Sequence, residues 1–332
     1  MGAGSVKMIG FAVDGIHGSA DYLAPGAIEI NRYQQEIYDK VRRRFYFGQR
    51  IQQVLATGYP SRYFEQQTIP VAAFTKPRIL AATASQPKRV ERFLILKAIM
   101  SQINYGIFDS EIVSQQGQFE GLQAKDLEDA VTGVLKLHDT NLWNGNDTDL
   151  LVATTDQYYG VSGQIVAAPT VGSYASTKTI ASNASLVDGI KTRVAEMVSR
   201  QDYEVRPTSL YMNPLTADLF DQEAKTLQLY YNEVEILPGV IVKAIPTQAG
   251  NIPIIADAGI TLLTGSGGST TQHAMFLLTE EDIEYHYLTS PVPRVFQLGL
   301  LGNLAAQFVI VKFGGVVVKG ASYSHRILFT ER

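Results

Sequence analysis

The chain of 332 residues contains no cysteine. That excludes a disulfide framework, a thiolate nucleophile and a zinc-cysteine centre. Histidine is sparse: His17, His138, His273, His286 and His325 are scattered, with no HExxH motif and no pair at ligand spacing. Long apolar runs are missing as well. The most apolar stretch, Phe308 to Val318, is interrupted by Lys312 and by Gly314-Gly315, well short of the roughly 18 residues of a membrane span. The start, Met-Gly-Ala-Gly-Ser-Val-Lys-Met, has no apolar signal-peptide core, so the sequon matches at Asn146 and Asn183 imply no glycosylation. Gly265-Ser266-Gly267-Gly268-Ser269 has neither the lysine of a phosphate-binding loop nor a following helix start, and no G-x-S-x-G elbow occurs. Asn144-Gly145-Asn146-Asp147-Thr148-Asp149 offers oxygens but lacks the glycine placement and distal glutamate of a calcium loop, and reads as a turn. No cofactor, no metal, no catalytic residue and no membrane contact is expected.

What is present is scaffold. Ser185-Leu186-Val187-Asp188 reads as a capping box, with the serine taking an orphan amide and the aspartate reaching back. Leu186, Ile190, Val194 and Met197 then give that helix one apolar face. A strand is expected at Ser209 to Met212, followed by Asn213-Pro214 as N-cap and first helical residue of a second helix through Thr216, Leu219 and Phe220. Val240 to Ile245 and Ile252 to Ala256 read as strands. The spacing of Leu127, Ala130, Val131, Val134, Leu135, His138 and Leu142 predicts a helix over 124–142, with Asp126, Glu128 and Asp129 in its positive first turn and Gly145 as C-terminal cap. His138 on its apolar face reads as a core histidine. Residues 30–55 are expected to be helical in pieces. Phe308 to Phe313 and Val316 to Lys319 read as two strands joined by a Gly314-Gly315 hairpin turn.

Charge is unevenly placed. From Arg32 to Lys97 there are 13 Lys and Arg against 4 Asp and Glu, a net +9; the remainder has 15 against 28, or −13. Such a separation attracts the basic part to something acidic. Nucleic acid and a second copy of the chain are both candidates, and the −13 remainder favours the copy. Within the basic part, Tyr59 to Arg92 is punctuated by Pro60, Pro70, Pro77 and Pro87 and alternates basic and aromatic residues without a core face, which suggests an extended two-stranded excursion.

In order and spacing, Arg206-Pro-Thr-Ser-Leu-Tyr-Met-Asn-Pro214, Leu237-Pro-Gly-Val-Ile-Val and Ile252-Pro-Ile-Ile-Ala-Asp257 resemble phrases of the axial domain of tailed-bacteriophage major capsid proteins, the family named after the phage HK97 shell. The resemblance implies an α+β HK97-like capsid fold. Residues 1–58 would be an N-terminal arm and short helices, 59–97 the extended loop, 98–165 a peripheral domain with the long spine helix, 166–300 the axial domain, and 301–332 strands completing the core. It further implies a structural protein without enzymatic activity, self-assembling as pentamers and hexamers into an icosahedral virion shell around double-stranded DNA in the host cytoplasm, with scaffolding, portal and decoration proteins as possible partners. Many members carry a scaffolding segment before the arm, so a start at Met1 implies a separate scaffold or an earlier cleavage. Arg62, Lys76, Arg78, Lys88, Arg89 and Arg92 become the candidate intersubunit contacts. Lys76 and Lys88 lie where some members form a lysine–asparagine cross-link, but intersubunit ion pairs are the preferred reading of them. An encapsulin shell around a cargo enzyme, and an enzyme or adhesion domain with an unrecognised site, are the alternatives.

Overall fold

The computed structural model describes residues 47–70, 72, 74, 86–106, 108, 122–168, 175–182, 184–200, 205–227, 231–264, 271–301 and 305–330. The expected arm, the Arg42-Arg43-Arg44 cluster, His17, Lys76, Arg78 and the Gly265–Ser269 loop lie outside them.

Two sheets share one core. The first runs β1 (Gln52–Leu55), β12 (Ile283–Tyr287), β14 (Ala305–Val318), β13 (Arg294–Leu301), with β4 (Lys97–Gly106) on the free side of β14. The second runs β5 (Thr177–Ile180), β15 (His325–Thr330), β11 (Thr271–Leu278), β6 (Ser209–Met212), β9 (Gly250–Ala256), β8 (Val240–Thr247), β7 (Asn232–Leu237), and the short β10 (Leu263–Thr264) adds to β11. Residues 52–55, expected to end a helix, are therefore a strand, because they find a parallel partner in β12.

The long helix α2 spans Leu122–Asn144 and lies across β4 and β14. It begins earlier than its periodicity indicated, so Asp126, Glu128 and Asp129 sit beyond the first turn, which has no acid. Val134, Leu142 and Trp143 are its fully buried members, whereas Leu135 is only half-buried. Trp143 joins the two sheets: it stacks on Phe47 of the short helix α1 (Phe47–Arg50) at 4.1 Å and contacts Tyr211 and Phe276 of the second sheet at 5.2 Å. Gly145 does not cap the helix by a left-handed turn. A Cβ there would stand 2.3 Å from the Tyr158 carbonyl, so its use is close approach of two backbones.

After the short α3 (Val161–Ala167), the second core packs helices α4 (Leu186–Val198) and α5 (Pro214–Thr226) on the larger sheet, with Leu186, Ile190, Val194 and Met197 all buried. Ser185 caps α4 by accepting from the Asp188 amide at 3.1 Å. The acid that serves this helix start is Glu223 of α5 rather than Asp188: it accepts from the Leu186 amide at 2.8 Å and from the Ser185 hydroxyl at 2.5 Å. Asn213 caps α5, accepting from the Leu215 amide, with Pro214 in the first turn.

The Gly314-Gly315 hairpin is a correction. Both glycines lie inside one continuous strand, β14, which pairs with β4 over 305–314 and with β12 over 314–318. A Cβ on Gly314 would come 2.1 Å from the Tyr285 hydroxyl, and one on Gly315 would come 3.1 Å from the Ile95 carbonyl and 3.2 Å from Leu94. The glycines admit neighbours over the strand and turn nothing.

Candidate assembly surfaces

The stretch expected to be an extended loop is built on β2 (Ser61–Thr68) and β3 (Lys88–Leu94), which pair with each other from Ser61↔Leu94 to Thr68↔Lys88 and, among the described residues, with no other strand. Alternation along β2 puts Arg62, Phe64, Gln66 and Thr68 on the open face. Phe64 is 73 % exposed and Phe74 fully so, and Ile69 is exposed too. Away from its foot, a two-stranded ribbon offering aromatic groups to water leaves apolar surface that it cannot bury by itself.

The candidate basic residues divide. Arg62 bonds Glu91 at 3.3 Å and lies over the Phe93 ring at 5.3 Å, and Arg92 bonds Glu65 at 2.7 Å, so both close cross-strand pairs within the ribbon. Lys88 and Arg89 are exposed and form no ion pair among the described residues. Two further cations of the +9 segment are engaged inside the body. Arg50 makes a bidentate pair with Glu280 at 2.8 and 2.6 Å and bonds the Ile236 carbonyl at 2.8 Å, while Tyr211 donates to the same Glu280 at 2.7 Å. Lys97 meets Asp147 at 2.7 Å. The charge split is thus partly an internal arrangement, which sequence spacing does not show.

Asp147 also shows what the Asn144–Asp149 turn does. Burial would raise its pKa, but Lys97, the Thr154 hydroxyl and the amides of Thr154 and Thr148 outweigh that and hold the carboxyl well below its ordinary range. Among the described residues, no group of three or more histidines and acids could hold a metal ion. No helix there is long and apolar enough to cross a membrane.

At the foot of the ribbon Ser61 bonds His286 Nδ1 at 2.8 Å, His286 Nε2 bonds Glu284 at 2.9 Å, and Lys319 bonds Glu284 at 2.5 Å. Burial works to raise the Glu284 pKa, but Lys319 and His286 outweigh it and hold it below the usual carboxylate range. Serine, histidine and glutamate in series invite comparison with a hydrolase triad. Here Ser61 is only 1 % exposed and the carboxylate is occupied by a lysine, so no acyl group could reach the hydroxyl. This cluster carries no local sequence signal, because Ser61 lies 225 residues from His286. His138 is a core residue, edge-on to Tyr285 at 4.7 Å and bonded to the Tyr158 hydroxyl at 3.3 Å.

The first sheet offers a second open surface. Ile99, Ile310 and Lys312 face α2, so their neighbours in register, Met100, Val311, Phe313 and Phe296, face away from it. Met100 is 64 % exposed, and Phe296 and Phe313 are more than a third exposed. Among the described residues, the two-stranded ribbon and this sheet face carry the exposed apolar groups Phe64, Met100, Phe296 and Phe313.

Helix across a long-stranded sheet, a second helix-covered sheet and a two-stranded ribbon together make the HK97-like capsid fold, which the chain shares with solved capsid structures. The capsid of a native GTA particle matches with a TM-score of 0.62 at 13 % identity, over 95 % of this chain and 99 % of that one. The capsid of cyanophage P-SCSP1u matches at 0.59 and 10 % identity, over 96 % and 99 %. The SrpI encapsulin of Synechococcus elongatus PCC 7942 matches at 0.58 and 11 %, over 90 % and 91 %. No family model and no curated protein sequence matches the chain.

Proposed function

We propose that the chain is a structural shell protein, the major capsid protein of a tailed-phage head. Copies assemble as pentamers and hexamers into an icosahedral shell around double-stranded DNA, with no catalytic step of their own. The observation that carries this reading is the ribbon of β2 and β3: among the described residues its strands pair only with each other, and Phe64 and, just beyond β2, Ile69 and Phe74 are exposed to solvent. Beyond its foot such a ribbon buries its apolar groups only when laid on a partner, and a second copy supplies one in the apolar face of Met100, Phe296 and Phe313. Arg62, Lys76, Arg78, Lys88, Arg89 and Arg92 would then lie along the contact, strengthening it more at low salt than at high. The virion is its location, assembly takes place in the host cytoplasm, and a scaffold and a portal are its expected partners.

The test is removal of the ribbon between Arg62 and Arg92. Expressed chains should stay soluble as monomers or capsomers and form no closed shells in electron micrographs, and normal particles would refute the assignment. The similarity to an encapsulin supports a second reading, a cellular compartment. Purified particles decide between them by content: nucleic acid for a phage head, a single co-purifying enzyme for a compartment.

A further inference from the structure

We propose that the direction in which the ribbon leaves the body is fixed by a seat at its foot, built from two cross-strand pairs laid one on the other. In the ribbon, Ser61 and Leu94 are register partners. In the body, His286 of β12 and Gly315 of β14 are register partners too. Ser61 bonds the His286 ring at 2.8 Å, and Leu94 occupies the space over Gly315, 3.2 Å from where a Cβ would be. Each residue of one pair therefore meets one residue of the other.

Leu94, Leu96 and Val317 form a small core of their own, with Ala56, Tyr63 and Leu150 packed against it. Lys319 ties the polar half to the ribbon's next inward residue: its ammonium bonds Glu284 and lies 5.5 Å from the centre of the Tyr63 ring. The Ile95 amide, just past the foot, bonds the Leu150 carbonyl at 2.9 Å. One contact would leave the ribbon free to swing about it. Two side by side, one polar and one apolar, do not.

The consequence rests on the shell reading above. From Ser61 to Thr68 the ribbon is a lever of about 23 Å at 3.3 Å per residue, so a tilt of about 10° at the seat moves its end by about 4 Å. That is the whole range of an apolar contact. The seat therefore presets where the ribbon meets the next copy, and with it the angle between copies.

The absence of native cysteine allows the test. Gln66→Cys on the ribbon and Lys136→Cys on α2, both exposed positions, accept spin labels in the unassembled full-length chain, and pulsed dipolar spectroscopy reads the distance. The otherwise unaltered chain should give one narrow distance. Gly315→Val, which displaces Leu94, and His286→Ala should each shift it by about 3 Å or more or double its width. His286→Gln, whose amide can still bond Ser61 and Glu284, should restore the narrow distance. If Gly315→Val does not fold, Ser61→Ala, which removes a single oxygen, replaces it with the same expectation. A broad distance in the unaltered chain, or a narrow and unshifted one in His286→Ala and its companion variant, overturns the proposal. Particle formation is scored separately, so assembly that ignores removal of the ribbon would sink the shell reading while the distance result stands.

Discussion

Replacing Lys312 by methionine should stabilise the protein, and the gain should depend on pH. Lys312 is 4 % exposed on the face of β14 that packs α2, and its ammonium lies 4.8 Å from the centre of the Tyr285 ring. No carboxylate pairs with it among the described residues, and burial pushes its pKa down from 10.5 to about 8. A drop of that size corresponds to about 3 kcal/mol, all of it a penalty when the amine is charged in both states. The contact with Tyr285 returns about 0.5–2 kcal/mol, so Lys312→Met should gain about 1–3 kcal/mol at pH 7. The sign with pH follows from proton counting. Between the folded value near 8 and the unfolded value of 10.5, the unfolded chain holds more protons, so the natural protein gains stability as pH rises through this window. By pH 9.5 that gain is about 2 kcal/mol, and the advantage of Lys312→Met should shrink by the same amount. Urea unfolding of both chains at pH 7 and 9.5, read as a difference, cancels the titration of the buried tyrosines common to both. A variant less stable at pH 7, or a difference that does not narrow, would refute the reasoning.

Leu142→Ala removes a fully buried side chain of α2 and should cost about 2–5 kcal/mol in the same assay. Leu135→Ala, at a half-buried position, should cost less, and Lys136→Ala on the exposed side should be nearly silent. Glu284, held below its ordinary pKa, contributes stability that is present above the usual glutamate value of about 4.3 and lost as pH falls below it. Amide exchange at Arg62 and Tyr63, corrected for its intrinsic rate, should therefore lose protection on acidification in the natural chain, and Glu284→Gln should abolish that dependence. Unchanged protection in acid would show that the carboxylate does not hold the foot.

The local signals were legible in the sequence wherever their partners lie within a few residues. Ser185 and Asn213 cap the helices they were expected to cap, because a cap needs only the next two or three amides. The apolar periods of α4 and α2 correctly placed Ile190, Val194 and Val134 in cores, because each helix has one covered side. The ordered phrases around Met212 and Ala256 pointed to the capsid fold because they mark strand ends that this topology requires. Tertiary structure decided the rest. Gly314-Gly315 carries the same letters in a hairpin turn and in a strand that must clear Tyr285 and Leu94, and only the packed neighbours separate the two. The +9 segment looked free for a partner because its acids are remote: Arg50 and Glu280 stand 230 residues apart. The seat was invisible for the same reason, since Ser61 and His286 are 225 residues apart and neither has a local pattern. Residue spacing along the chain determines which elements form and which side of each is covered. Which element covers it, and which charges meet inside, is settled only when distant segments close on one another, since hydrogen bonding and packing act over a few ångströms of space whatever the separation in sequence.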